Sequence, residues 1–227
     1  MKQLKSLLTV LLLSVFYLGS AQQYVDVATE RSLMSKGLSP KIDAVGSPYI
    51  NENFTAVKIK GYDDKIYSGR YNAYNGEMEI KLYEGKIIAL DVYSSDYEVV
   101  FIGENKTYNT VAYNSESGIL KKGFLVSVYS NEKVQLLKEE KIKFIEKIEA
   151  TSSYQKDKPA KFRRQGDDYY IKLGTNDAQY LPSKKKDLAK AFPSKSKEIS
   201  SFIKKNKLKL NKEEDLIKVA EYLGTIL

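Results

Sequence analysis

The stretch Gly76–Asp91, GEMEIKLYEGKIIALD, decides the fold class. Met78, Ile80 and Leu82 alternate with Glu77, Glu79 and Lys81. That period of two is the mark of a β-strand with an apolar face and a polar face. Glu84-Gly85 supplies a short turn, with glycine free to take positive φ. Ile88 and Leu90 resume the alternation on a second strand. The pattern predicts an antiparallel hairpin with Glu77, Glu79 and Lys81 on the wet side.

Similar signals recur on both sides of the hairpin. Phe54, Val57 and Ile59 lead to a turn at Gly61–Asp64, and Ile66, Tyr67 and Tyr71 return. Asn75-Gly76 is a strong turn dipeptide. Val92–Ile102 reads as one strand region, followed by Tyr108–Tyr113, Phe124–Val128, Val134–Leu136 and Ile142–Phe144. After a polar stretch holding Pro159, Phe162–Leu181 returns to β pattern around Gly174-Thr175-Asn176-Asp177. Strands at roughly ten-residue spacing with turns between them predict an antiparallel meander, open or partly closed into a barrel, of about eight to ten strands.

The period changes at Pro182. Ser183 is a candidate N-cap for a helix carrying Leu188, Ala191 and Phe192, and Ser194 or Ser196 for the next. Ile199, Phe202 and Ile203 have helical spacing. Asn211 and Glu214 form a variant capping box ahead of Leu216, Ile217, Ala220 and Leu223. The whole is an α+β chain: residues 22–53 an arm, 54–181 the β domain, and 182–227 a short helical cap on the sheet.

Residues 1–21 carry a basic start (Lys2, Lys5), an apolar run from Leu7 to Leu18, and small residues Gly19-Ser20-Ala21. This predicts a cleavable secretory signal, with an apolar run too short to span a membrane. No later stretch reaches the roughly 20 apolar residues of a transmembrane helix. The whole chain has net charge +8; without Lys2 and Lys5, in a segment holding no acid, the processed form has +6.

The 227 residues include no His and no Cys. Ser-His-Asp and Cys-His nucleophilic sites therefore cannot be built, nor can His-ligated zinc or a proximal-His haem site. No cofactor motif is present, so no cofactor is expected. Ser-x-x-Lys pairs occur at Ser130/Lys133, Ser183/Lys186, Ser194/Lys197 and Ser201/Lys204, without the companion motifs of penicillin-recognising enzymes. Adjacent acids at Asp63-Asp64 and Asp167-Asp168 sit beside turns, where Asp is ordinary. A carboxylate-based hydrolase would need two acids facing each other across a cleft.

One region is densely basic: Lys184-Lys185-Lys186 and the Lys195–Lys212 run, including Lys204 and Lys205. With Arg163 and Arg164 these residues are candidates for a face toward an anionic partner such as lipid or polysaccharide. The competing reading is the solvated side of the helices. No nucleic-acid-binding motif accompanies the run, so nucleic acid is not the expected partner.

Gly46-Ser47-Pro48-Tyr49-Ile50, Arg70-Tyr71-Asn72, Glu77-Met78-Glu79 and the run from Lys207-Leu208 to Glu214-Asp215-Leu216 resemble a group of uncharacterised exported proteins of Bacteroidetes-type bacteria. The resemblance implies export and carries no activity. Together these readings point to an exported, non-enzymatic binding or structural protein of the cell envelope, periplasmic or surface-associated, whose partner is an envelope component or another protein. The alternative is a carrier whose barrel encloses an apolar ligand.

Overall fold

The computed structural model describes residues 33–82, 85–150 and 156–227. The expected signal segment, the start of the arm and Glu84 of the hairpin turn lie outside the described residues. The fold is mostly β, as the alternation predicts. Thirteen strands occur among the described residues. They are β1 (Ser35–Lys36), β2 (Thr55–Lys60), β3 (Tyr67–Asn72), β4 (Glu77–Lys81), β5 (Ile87–Leu90), β6 (Glu98–Phe101), β7 (Lys106–Asn114), β8 (Leu120–Ser130), β9 (Val134–Glu139), β10 (Ile142–Ile145), β11 (Lys161–Arg164), β12 (Asp168–Leu173) and β13 (Ala178–Tyr180). The number exceeds the expected eight to ten partly because the arm contributes β1 and the Phe162–Leu181 stretch contributes three strands rather than one hairpin. Val92–Ile102 yields only β6, since Val92–Ser94 form a turn anchored by Asp91.

Eleven strands form one sheet in the order β1-β5-β4-β3-β2-β6-β7-β13-β12-β9-β8, and β7 also pairs β8. That extra pairing closes β7, β8, β9, β12 and β13 into a five-strand barrel; the rest is a meander attached to it. β7 serves both parts. It pairs β6 over Lys106–Asn109 and β8 over Tyr108–Asn114. It pairs β13 at Tyr113–Asn114. A strand has only two hydrogen-bonding edges. One edge of β7 therefore carries β8, and the other passes from β6 to β13 along its length. The β13 pairing is parallel, against the antiparallel rule of every other neighbour in the sheet.

Because side chains alternate across a strand, β7 and β8 make a wall with a core on each side. Tyr108, Phe124 and Val126 face the meander core with Val57, Ile59, Met78, Ile80, Val99 and Phe101. Val111, Tyr113 and Leu125 face into the barrel with Leu137, Tyr170 and Ala178. A third core lies outside the barrel, where Val134, Leu136 and Ile171 receive the helices α1 (Lys185–Ala191), α2 (Ser196–Lys205) and α3 (Glu213–Ile226). Leu188, Ile199, Ile203, Leu216, Val219 and Leu223 are their buried stripe.

The helix starts differ from the sequence expectation. α1, α2 and α3 begin after Lys184, Lys195 and Lys212, and none of these makes a side-chain cap. The capping box at Asn211 does not form. Asp215 instead accepts from the Lys209 backbone N–H at 2.9 Å, so the acid serves the turn before the helix. Glu213 anchors α3 to the barrel, accepting from Lys138 Nζ at 2.7 Å and from Tyr169 OH at 2.9 Å.

The shared wall predicts one cooperative unit. Leu137→Ala, inside the barrel, should cost about 3 kcal/mol as a fully buried Leu truncation. Val57→Ala in the meander should shift the same single urea transition, with circular dichroism and tyrosine fluorescence superimposing. Two resolved transitions would show that the barrel and meander fold independently.

Candidate functional site

Met78 and Ile80 of β4 enter the core as the alternation predicts, and Lys81 is exposed. Glu77 and Glu79 do not lie on a wet face. Each is only 2% exposed. The arm crosses over them, which a strand pattern cannot announce. A carboxylate removed from water needs charge or hydrogen-bond partners, and the arm and β3 supply them.

Glu79 faces Arg70 across the β3–β4 ladder, where the two are register partners. Arg70 Nε and Nη2 both lie 2.8 Å from Glu79 Oε2. Nη2 also donates to Tyr49 OH at 2.8 Å, and Nη1 donates to the Glu52 carbonyl at 3.1 Å. Tyr49 OH in turn donates to Glu79 Oε1 at 3.0 Å. The guanidinium carbon sits 3.7 Å from the Tyr49 ring centroid and 4.4 Å from that of Phe54. Cation–π contact thus adds to the ion pair. Burial and the Glu79 charge push the Tyr49 phenol up to about 12, against the opposing Arg70 charge, so it is a donor at neutral pH.

Glu77 holds the arm two residues away on the same face. Ser39 Oγ donates to it at 2.7 Å, and Lys36 Nζ lies 3.0 Å away. Burial acts to raise the Glu77 carboxyl, but the Ser39 hydroxyl and the Lys36 ammonium outweigh it and hold it below the usual glutamate range. The arm is fixed at two further places. β1 pairs β5 at Leu90 and Ala89. Val45 bridges to Lys161, with Val45 N–H donating to Ala160 O at 2.9 Å and Phe162 N–H to Val45 O at 2.8 Å. Between these contacts Gly46 has φ +84°, and a Cβ there would stand 3.0 Å from the Phe162 carbonyl oxygen. The arm thus fastens the β10–β11 hairpin, which is a sheet of its own, to the meander.

Where arm, β3–β4 face and β11 meet, they leave a groove of about 490 Å³. Leu38 and Ile42 of the arm, Tyr74, Phe162 and Ile87 give it apolar walls; Asn72, Asn75 and Arg70 give it polar ones. Tyr74 stands at 5.2 Å from Phe162 and 6.2 Å from Phe144, ring centre to ring centre. A second, more open hollow of about 730 Å³ lies beyond Tyr74 and Phe144, beside Lys141 and Gln165.

Two other acids tie tyrosines together. Glu139 accepts from Tyr113 OH at 3.1 Å and Tyr170 OH at 2.7 Å at the barrel end. Glu140 accepts from Tyr108 OH and lies 3.2 Å from Lys106 Nζ. Burial first, and then the neighbouring carboxylate, raises all three phenols, so they remain protonated donors rather than nucleophiles. The barrel interior between them is filled by Val111, Leu125, Leu137, Tyr170 and Ala178.

The sequence-predicted candidates are dispersed. Lys184, Lys185, Lys186, Lys204 and Lys205 lie on or beside α1 and α2, which pack on each other. Arg163 and Arg164 lie on β11. Arg164 is engaged in the fold: it donates to the Lys141 carbonyl at 3.0 Å and pairs with Asp167. Asp168 pairs with Lys141, and Asp64 with Lys58 at 2.9 Å. Asp63 accepts from Tyr67 OH at 2.7 Å. Each of these adjacent acids thus turns to its own partner. No Ser-x-x-Lys pair is hydrogen-bonded, and no three acids gather as a metal-ligand cluster, among the described residues. Arg70, Tyr49, Glu77 and Glu79 stand in the sequence only as strand-face residues and as parts of the quoted motifs, not as members of one site. Glu77-x-Glu79 with a cation on the partner strand was the available signal.

No family model, curated protein or solved structure matches the chain.

Removing one member of a buried ion pair costs about 3–5 kcal/mol. Glu79→Ala should fall near the lower end, about 3 kcal/mol in urea unfolding, because Arg70 keeps 16% exposure. The Arg70→Met/Glu79→Leu double variant should lose less. Glu77 has a folded value below its ordinary 4.5. Its contribution is therefore present above that pH and disappears as pH falls through the folded value. Urea unfolding of wild type should weaken more steeply below about pH 4.5 than that of Glu77→Gln; equal slopes would remove Glu77 from the account.

Proposed function

We propose that the chain is an exported, non-enzymatic binding protein of the bacterial cell envelope, and that the arm groove holds its ligand. The observation that carries this reading is the mutual commitment of the groove's buried charges, Arg70 and Glu79, which leaves only the exposed Lys41 and Glu52 at its edge. Arg70 spends its Nε and both terminal nitrogens on Glu79, Tyr49 and Glu52, and Glu79 receives two donors. A catalytic acid or base needs a free proton site aimed at substrate. These groups are committed to one another, while the aromatic and aliphatic walls and the amides of Asn72 and Asn75 are suited to contact without chemistry.

Export rests on the composition of residues 1–21. The carrier reading has less support. Five strands enclose little room, and large side chains occupy the barrel. The groove, open to solvent, is the better place for a ligand. A carboxylate-based hydrolase built on Glu77 and Glu79 would need them free, yet each is paired with its own cation.

Purified protein beginning at Gln22 should show thermal stabilisation by one class among envelope glycans, lipids and peptides, with no turnover of matching chromogenic substrates. Tyr74→Ala, which removes a groove wall, should weaken that shift at least about tenfold in ligand concentration. Specific turnover abolished by Glu79→Gln would replace the binding reading with a hydrolytic one.

A further inference from the structure

The positive charge of this protein is not spread over it. Residues 184–212 hold eleven lysines and two acids, Asp187 and Glu198, a local balance of +9. The whole chain is +8, so all other residues together sum to −1. Elsewhere lysines unpaired among the described residues, such as Lys41, Lys81, Lys121 and Lys133, are spread along the chain, and Lys36, Lys58, Lys60, Lys106, Lys122, Lys138, Lys141 and Lys147 each have a carboxylate partner. In the basic segment only Lys190 and Lys195 do, with the two local acids at 3.8 and 3.2 Å. The other nine ammonium groups have no ion-pair partner among the described residues, and eight of those nine residues are exposed.

This face also lacks exposed large apolar side chains. The apolar stripes of α1 and α2 are spent on the barrel, with Leu188 and Ile199 at 0% exposure and Ile203 at 3%. Phe202 stacks on Tyr222 of α3 with ring centres 4.0 Å apart. No large apolar side chain is exposed between 184 and 212. None of the grooves described above is lined by these lysines. The face comprises the outer surfaces of two short packed helices and the Lys207–Lys212 link.

Concentrating like charge costs self-repulsion, and a merely solubilising surface mixes both signs. Lysine is a mobile point charge without the fork that reads one anion bidentately. Such a face matches a broad field of negative charge better than a single ligand. An extended polyanion chain is usually held in a groove that tracks it, often with stacked aromatics, and this face offers neither. A bilayer surface needs no groove. Polybasic segments bind it at about fivefold affinity per lysine within a Debye length.

We propose that the lysine face of α1, α2 and the Lys207–Lys212 link docks the protein electrostatically onto anionic lipid headgroups of a bilayer, without inserting into it. Arg163 and Arg164 are not part of that face. The proposal adds a second surface to the groove and does not depend on the groove's ligand.

The test is vesicle co-sedimentation of the protein beginning at Gln22. Phosphatidylcholine vesicles containing phosphatidylglycerol should bind it at about 0.05 M salt and release it at about 0.5 M, and pure phosphatidylcholine should not bind it. A variant with Lys184, Lys186, Lys204 and Lys205 changed to Gln should lose roughly 600-fold in partitioning, about fivefold for each lysine. These residues are exposed and unpaired, so its circular dichroism spectrum should be unchanged. A control with Lys81, Lys121, Lys133 and Lys143 changed to Gln removes the same charge from exposed sites elsewhere and should stay within about threefold. Equal losses in both variants would mean net charge alone is read, and would overturn the proposal. So would retention by pure phosphatidylcholine. Tighter binding to a soluble polyuronate or to DNA than to vesicles at equal anion concentration would assign the face to a polymer instead.

Discussion

Two carboxylates buried on the outer face of a strand set the terms for the rest of this molecule. Glu77 and Glu79 could not stay under the arm as bare anions. Their need for partners puts Arg70 opposite one and Lys36 and Ser39 beside the other. Those partners in turn determine where the arm lies, and the arm determines where the second sheet is held. The groove is what remains between three elements brought together for electrostatic reasons. Its most polar wall is built of groups that are already satisfied, which is why it reads as a place for contact.

The other constraint is topological. β7 offers two edges to three neighbours, and it meets the demand by giving one edge first to β6 and then to β13. Its alternating side chains then serve two interiors, Tyr108 on one side and Val111 and Tyr113 on the other. Truncations on either side of that wall should therefore be felt by the whole β portion.

Much of this was legible in the residues. The alternation of Met78, Ile80, Ile88 and Leu90 placed the first hairpin and its buried side correctly. The helical spacing of Ile199, Phe202 and Ile203 placed α2. What escaped was non-local. Alternation distinguishes the two faces of a strand, but it cannot say that an arm 38 residues away will cover the polar one. The turn dipeptide Asn75-Gly76 marked the turn but not its length or register. The observed register, Asn72 with Glu77, leaves four residues in it and brings Arg70 opposite Glu79. The barrel closes through a two-residue parallel pairing of Ala178 and Gln179, which no periodicity encodes. The serine caps failed because lysine backbones begin the helices, and the stripes on the barrel supply the stability a cap would have added. The lysine run was visible as composition, but only the structure shows that nine of its eleven ammonium groups lack an ion-pair partner among the described residues and that eight of those nine residues are exposed.

The arm's position has a bearing on how the polypeptide becomes native. Its docking partners arrive in sequence: Glu77 and Glu79 soon after, and Lys161 only once most of the polypeptide has been made. Contacts of such span form slowly, because the intervening chain must first be ordered. A polypeptide of this design holds its arm by the Glu77 and Glu79 latches first and completes the fastening at Lys161 only late.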